Sequence, residues 1–147
     1  MPTYRAGIIG CGNIGRRHSA AFAAMSNVDF VAGADPHDRR ADEYRADGMQ
    51  RFYSDAEEML ANEALDIVSV CTWPGLHAEM TAAAAEAGAK AVHCEKPMAV
   101  SLRECREMVA ACDANGAKLV VGHQHRWDGN ANVAAELVAE GAIGDLQ

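Results

Sequence analysis

The sequence predicts an α/β fold, in which a doubly wound parallel sheet of strand order 3-2-1-4-5-6 carries helices on both faces. The first observation is that short, nearly continuous apolar segments alternate with helical segments along the chain. Such strands are buried on both faces, which is typical of parallel sheets. The second observation is a G-x-G-x-x-G turn directly after the first apolar segment. Right-handed crossovers between parallel strands then favour the doubly wound order.

Six strands are predicted from short runs of apolar and β-branched residues. The run Ile-Val-Ser-Val-Cys is the clearest, because it is nearly all apolar and is bounded by polar residues on both sides. The second strand ends where Asp35 and Pro36 interrupt the apolar pattern. The predicted strands are residues 4–9, 28–34, 51–53, 67–71, 91–94 and 118–121.

Six helices are predicted between and after these strands. Ser101 and Glu104 have the spacing of a capping box, which opens the fifth helix. Glycine is a common helix terminator, and Gly48, Gly88 and Gly141 stand where the second, fourth and sixth helices end. The predicted helices are residues 13–25, 37–48, 55–61, 76–86, 101–116 and 132–140.

The size and charge of the chain limit the possible partners. A chain of 147 residues is about one domain, and half of its residues are hydrophobic. The net charge of −8 argues against a nucleic-acid partner, which normally requires a basic face. No apolar run approaches the length of a membrane span. The first residues lead directly into a strand and leave no room for a signal peptide, so we expect a cytoplasmic protein.

The five cysteines indicate reduced thiols rather than a disulfide framework, because their number is odd and no C-x-x-C pair occurs. Cys71 and Cys94 end apolar strands and are expected to be small buried residues. Cys11 lies in the glycine-rich turn, where a reactive thiolate at a helix N-terminus is the alternative to a buried thiol. No cluster of residues has the spacing of a metal site.

The glycine-rich turn and the acid that follows it predict a dinucleotide site. Gly10 permits the tight turn, Gly12 leaves room for a pyrophosphate, and Gly15 lets the helix pack on the strand. Backbone N–H groups at the helix N-terminus then meet the phosphate charge. Asp35 lies 20 residues past the last glycine and is expected to accept hydrogen bonds from the adenosine ribose. The residues predicted to contact the cofactor here are Gly10, Gly12, Asn13, Ile14, Gly15 and Asp35.

Polar and aromatic side chains follow the fourth, fifth and sixth strands, where ligands of doubly wound sheets bind. Trp73 is expected either to pack on a cofactor or to cover the rim of the sheet. His77 is expected either to contact the cofactor or to cap its own helix. Residues 123–127, which are rich in functional side chains, are expected to line a substrate pocket. The further candidates for cofactor binding are Thr72, Trp73, Pro74, His77, Glu95, Lys96 and Arg126.

Together these motifs make the chain resemble the Gfo/Idh/MocA oxidoreductases, which include glucose–fructose oxidoreductases and inositol dehydrogenases. The resemblance is carried by the glycine motif, by Glu95-Lys96-Pro97 after the fifth strand and by Arg126-Trp127 after the sixth. It covers nearly all of the chain but only the N-terminal half of the usual family protein. His18 also matches the form G-x-G-x-x-G-x-x-H, although helix packing is its simpler role.

The resemblance implies NAD(P)-dependent hydride transfer at a hydroxyl-bearing carbon of a sugar, an inositol or a similar polyol. Lys96 would be the catalytic residue, hydrogen-bonded to the reacting oxygen and helping to relay its proton. Glu95 would orient Lys96, and Pro97 would fix the backbone with a trans or a cis bond. Arg126 would position the substrate or the nicotinamide.

The sequence also departs from the family pattern. Gly75 stands where many members have asparagine, and Gly129 stands where proline is usual. The family takes a catalytic histidine from a second α/β domain, which also commonly mediates homo-oligomers. We therefore expect a dinucleotide-binding domain at 1–128, and a terminal helix at 129–147 that links to an absent domain. Alone, the chain is expected to bind cofactor with little turnover.

Asp35 favours NAD as the cofactor, because a carboxylate repels the 2′-phosphate of NADP. Arg39 and Arg40 lie nearby and weaken this preference, so NADP is the less favoured alternative. One other function left open is a non-enzymatic dinucleotide-binding sensor or partner module, in which Lys96 contributes to no reaction. Another is a methyltransferase that uses S-adenosylmethionine, which Gly15 and Lys96 disfavour.

Overall fold

The protein contains one six-stranded parallel sheet of order β3-β2-β1-β4-β5-β6, which confirms the predicted doubly wound topology. It is seen in a computed structural model that describes residues 3–145. Five strands have the predicted bounds, and the fourth ends one residue early. The strands are β1 (Tyr4–Ile9), β2 (Val28–Ala34), β3 (Arg51–Tyr53), β4 (Ile67–Val70), β5 (Ala91–Cys94) and β6 (Lys118–Val121).

Within the described residues, six helices connect or follow the strands, as predicted. Ser101 caps α5 by accepting a hydrogen bond from the Glu104 backbone, as the capping box requires. One-turn 3₁₀ helices, Pro74–Leu76 and Gln124–Trp127, precede α4 and α6. The helices are α1 (Asn13–Ala24), α2 (Ala41–Ala46), α3 (Ala56–Asn62), α4 (His77–Glu86), α5 (Leu102–Ala114) and α6 (Gly129–Ala139).

Two helix predictions were wrong at their starts. The helix predicted at 37–48 begins at Ala41, because the Asp35 carboxylate accepts a hydrogen bond from the His37 backbone and holds the chain in a turn. The helix predicted from residue 132 begins at Gly129, because the Asp128 side chain accepts a hydrogen bond from the Asn130 backbone.

The register of the sheet brings the carboxyl ends of its central strands together. Ile9 at the end of β1 pairs with Ala34 on one side and with Val70 on the other, and Val70 pairs with Cys94. All four side chains are buried in the core. The loops that follow β1, β2, β4 and β5 therefore share one edge of the sheet.

The C-terminal part of the described chain lies apart from this core. Helix α6 has no buried residue, and Val133, Leu137 and the nearby Trp127 are exposed. The predicted link toward a further strand includes residues 146–147, which lie outside the described residues. Within 3–145, no helix has both the length and the apolar character that a membrane crossing requires.

Candidate functional site

The three motif glycines lie in different local geometries. Gly10 has a φ of +95°, and a Cβ there would lie 2.6 Å from the backbone carbon of Cys71. A Cβ on Gly15 would lie 2.3 Å from the Gly10 carbonyl oxygen and 2.6 Å from the Tyr44 hydroxyl. A Cβ on Gly12 would meet no atom within 4 Å. Gly10 and Gly15 therefore allow the turn and the helix packing, whereas Gly12 leaves open space over the loop.

Tyr44 supports the glycine loop through a contact that the sequence did not predict. Its hydroxyl donates a 2.8 Å hydrogen bond to the Gly12 carbonyl, and its side chain is fully buried. Burial raises the pKa of the phenol, so the hydroxyl stays protonated and remains a donor. An aromatic residue in a short helix carries no sequence signal of such a contact, because the contact depends on how α2 packs beneath the loop.

Asp35 is fixed at the end of β2 by two backbone hydrogen bonds. Its Oδ2 accepts from the Cys11 N–H at 2.8 Å, and its Oδ1 accepts from the His37 N–H at 2.9 Å. Each carboxylate oxygen retains a second lone pair for another donor. The carboxylate is therefore oriented in advance and joins the glycine loop to the loop after β2.

Cys11 is a buried thiol rather than a reactive one. The pKa of its thiol is raised to about 12, mainly because the thiol is buried and secondly because the negative charge of Asp35 is nearby. Its Sγ faces the Ala34 carbonyl oxygen at 3.8 Å. The alternative of a thiolate in the loop is therefore wrong. In the described part of the chain, no group of three or more His, Cys, Asp or Glu residues is arranged to hold a metal ion.

A cavity of about 770 Å³ opens at the carboxyl ends of β1, β2 and β4. Its volume lies within the usual range of small-molecule sites. Trp73 lines it while remaining 82% exposed, so the structure leaves both expectations for this side chain open. The predicted site residues that line it are Gly10, Gly12, Asn13, Ile14, Asp35, Thr72 and Trp73.

A second cavity, of about 520 Å³, lies where β5 and β6 end. It is lined by Lys96 and Pro97 from the loop after β5 and by His123, Gln124 and His125 from the loop after β6. Of the segment 123–127 that was expected to line a pocket, Arg126 and Trp127 lie outside this lining. The Lys96–Pro97 peptide bond is cis. The other predicted residues outside both linings are Gly15, Pro74, His77 and Glu95.

His77 lies beneath the loops rather than in a cavity. It is only 1% exposed, with Nδ1 2.8 Å from the Pro97 carbonyl and Nε2 3.1 Å from the Thr72 carbonyl. Both of these carbonyl groups lie outside α4, so the ring is not seen to cap its own helix. The ring thus bridges the loop after β4 and the loop after β5, a contact that neither expectation for this residue described.

A partly buried polar cluster, formed by His18, Ser69, His93 and Glu95, lies between α1 and the sheet. His18 Nδ1 is 3.2 Å from Ser69 Oγ, and its Nε2 is 3.1 Å from Glu95 Oε1. The His18 ring also stacks edge-on against His93 at 4.8 Å. Glu95 Oε2 accepts a 3.1 Å hydrogen bond from the Lys96 N–H. Sequence reasoning missed Ser69 and His93, because nothing in their positions signals a contact across elements.

A glycine loop at a helix N-terminus, an oriented acid on the next strand and a cavity between them define a dinucleotide-binding domain of the Rossmann type. The model of the Gfo/Idh/MocA oxidoreductase family, described as having an NAD-binding Rossmann fold, matches residues 4–123. The chain belongs to this oxidoreductase family. The methyltransferase alternative is therefore wrong.

Individual relatives agree with this assignment. The chain is 35% identical over 142 residues to the D-apiose dehydrogenase of Paraburkholderia graminis, covering 96% of this chain and 38% of the relative. It is 36% identical to Inositol 2-dehydrogenase 3 of Saccharopolyspora erythraea, over 97% of this chain and 42% of the relative. The WlbA dehydrogenase of Bordetella pertussis, solved with NADH and UDP-GlcNAcA, is 29% identical with a TM-score of 0.85, covering 95% of this chain and 42% of that one. The chain thus spans about 40% of the length of these relatives.

Proposed function

We propose that the first cavity binds NAD, with the diphosphate over the glycine loop and the adenosine ribose at Asp35. The observation that carries this proposal is the open space over Gly12, next to a carboxylate that is already oriented. Backbone N–H groups at the start of α1 suit the diphosphate charge. The free lone pairs of Asp35 suit two ribose hydroxyls, and Thr72 and Trp73 line the side of the cavity toward β4.

The chain would then form the cofactor-binding part of an enzyme that moves a hydride between NAD and a hydroxyl-bearing carbon. When bound, NAD supplies the hydride acceptor. Lys96 would hydrogen-bond the reacting oxygen and help to carry its proton away. Glu95 would hold the backbone of Lys96 through the 3.1 Å hydrogen bond to its N–H.

The second cavity favours a polyhydroxylated substrate. Lys96, His123, Gln124 and His125 line it, and they offer several hydrogen-bond donors and acceptors to hydroxyl groups. The names of two relatives, D-apiose dehydrogenase and Inositol 2-dehydrogenase 3, support a sugar or an inositol. Arg126, which follows His125 in the sequence, would contact a part of the substrate or nicotinamide that extends from this cavity.

We further propose that residues 1–128 form the dinucleotide domain and that 129–147 lead toward a second α/β domain, which would also mediate a homo-oligomer. The support is that α6 buries no residue, while Trp127, Val133 and Leu137 are exposed. Exposed apolar patches of this kind commonly mark interaction surfaces. Residues 1–147 on their own would leave the second cavity open to water and a substrate there poorly oriented, so we expect little turnover from them.

Isothermal titration calorimetry of the full chain tests the cofactor proposal. NAD⁺ is expected to bind at one site per chain, and S-adenosylmethionine is expected to give no binding heat. Absence of NAD⁺ and NADP⁺ binding at millimolar ligand would overturn the proposal. A steady-state assay with NAD⁺ and myo-inositol, D-apiose or other sugars is expected to give little turnover. Rates typical of dehydrogenases, about 1 s⁻¹ or more, would refute the need for a second domain.

A further inference from the structure

Arg40 and Asp35 both line the cavity that we propose for NAD. Among the described residues lining that cavity it is the one lysine or arginine, and its side chain is about one third exposed. A guanidinium is the side chain best suited to a phosphate, because its planar fork donates two parallel hydrogen bonds. In dinucleotide sites, an arginine near the ribose is what accommodates the 2′-phosphate of NADP. The cavity therefore contains one group that favours NAD and one that suits NADP.

Glu43, in the first turn of α2, forms two hydrogen bonds with the guanidinium of this arginine. Arg40 Nε donates to Glu43 Oε1 at 3.1 Å, and Arg40 Nη2 donates to Glu43 Oε2 at 2.9 Å. The remaining terminal nitrogen, Nη1, donates to the Asn13 side-chain oxygen on the glycine loop. The hydrogen bonds with Glu43 raise the pKa of Arg40 and lower that of Glu43, as expected for a bidentate ion pair. The guanidinium thus has a carboxylate where a phosphate would otherwise bind.

The charges around the Asp35 end of the cavity also disfavour a bound 2′-phosphate. Arg16 pairs with Asp47, and its Nε lies 3.5 Å from Glu43 Oε2. Counting these side chains, Asp35, Glu43 and Asp47 carry three negative charges against two positive charges. Loss of the Glu43 charge would remove one of these three negative charges and would release Arg40 toward a phosphate.

We infer that Glu43 is a specificity-determining residue, which maintains the preference for NAD over NADP by holding Arg40 in a bidentate ion pair. The inference rests on the proposed function, since it assigns the Asp35 end of the cavity to the adenosine ribose. Glu43 does not line the cavity itself, so it acts through Arg40 rather than by touching the cofactor. Asp35 repels the 2′-phosphate directly, and Glu43 removes the cation that would compensate for this repulsion.

The test is calorimetry of the full chain with NAD⁺ and with NADP⁺, comparing the ratio of the two dissociation constants. Glu43→Gln is expected to strengthen NADP⁺ binding by about fivefold to tenfold, the effect of one additional charge-assisted hydrogen bond discounted for exposure. The affinity for NAD⁺ is expected to stay within about twofold, because the ribose hydroxyls bear no charge. The gain should shrink at high salt, since an exposed arginine–phosphate pair is screened.

Asp42→Asn is the matched control. Asp42 lies in the same first turn of α2, but its side chain is 96% exposed and pairs with Arg45. This control is expected to leave the ratio unchanged, and adding Arg40→Gln to Glu43→Gln is expected to remove the gain. The inference would be overturned if Glu43→Gln left the ratio of the two dissociation constants unchanged, or if Asp42→Asn gained as much NADP⁺ affinity. The proposed function would remain intact in either case, provided that the protein still binds NAD⁺. Failure of the wild-type chain to bind either dinucleotide would overturn both.

Discussion

His18 Nε2 lies 3.1 Å from Glu95 Oε1, so α1 is joined by a side-chain contact to the segment that carries Lys96. The other ring nitrogen of His18 faces Ser69 on β4, and the second oxygen of Glu95 accepts from the Lys96 N–H. These contacts join α1, β4 and the loop that follows β5. They set the position of Lys96 relative to the helix whose N-terminus adjoins the glycine loop.

Replacing His18 by Phe is expected to destabilise the protein by about 1–3 kcal/mol, because Glu95 and the buried Ser69 each lose a hydrogen-bond partner. Urea unfolding measures the free energy. Hydrogen exchange at the Lys96 N–H is expected to speed up beyond the change in global stability. His123→Phe, which alters an exposed ring, should change neither quantity. Equal stability of His18→Phe and the wild type would show that the contact contributes nothing.

Gly12 and Gly15 are predicted to respond to alanine in opposite ways. In Gly12→Ala the new methyl group meets no protein atom, so the free energy of unfolding should stay within about 0.5 kcal/mol of wild type. The same methyl group would occupy the space proposed for the diphosphate, and NAD⁺ affinity should fall by about tenfold or more. Calorimetry and urea unfolding of the same sample separate the two effects.

Gly15→Ala is the comparison variant. Its methyl group would lie 2.3 Å from the Gly10 carbonyl oxygen, and neither backbone can move far without separating α1 from β1. We expect a loss of about 1–3 kcal/mol or failure to fold. If Gly12→Ala bound NAD⁺ as tightly as wild type, the diphosphate would lie elsewhere. If Gly15→Ala were as stable as wild type, the packing argument would be wrong.

Most strand bounds could be predicted because each strand is specified by its own local composition. Ile67–Val70, for example, is buried on both faces and is apolar at nearly every position. The strand order could be predicted because right-handed crossovers between parallel strands favour the doubly wound order. The roles of Gly10 and Gly15 were also predictable, since the spacing of the motif fixes which glycine meets the strand and which meets the helix.

The remaining features depend on contacts between distant residues. His18 and Glu95 are separated by 77 positions, and their contact requires the register of β1, β4 and β5 to be known. Residues 37–40 form a turn rather than the predicted helix, because the Asp35 side chain accepts a hydrogen bond from the His37 N–H. Tyr44 reaches Gly12 only through the packing of α2. Helical periodicity contains none of this information.

Asp35→Ser is predicted to weaken NAD⁺ binding by about tenfold to hundredfold, because the ribose loses charge-assisted hydrogen bonds. NADP⁺ binding should improve relative to NAD⁺, since the charge that repels the 2′-phosphate is removed. Calorimetry with both dinucleotides gives the ratio. Asp38→Ser is the control, because Asp38 lies in the same loop but outside the cavity lining. A wild-type preference for NADP⁺ would contradict the role assigned to Asp35.

His93 is predicted to make the stability of the protein depend on pH. The pKa of His93 lies below the ordinary value of 6.5, mainly because the ring is buried and secondly because His18 is close to it. The charge of Glu95 acts in the opposite direction. His93 Nδ1 is buried without a hydrogen-bond partner. The neutral ring is favoured in the fold, whereas the unfolded chain takes up a proton near pH 6.5. The free energy of unfolding should therefore be largest above pH 6.5 and decrease as the pH falls toward the folded-state pKa, by at most about 1.4 kcal/mol per pH unit. Urea unfolding from pH 7.5 to 5.5 measures this slope. His93→Gln should flatten it and the exposed His125→Gln should not, so an unchanged slope in His93→Gln would refute the assignment.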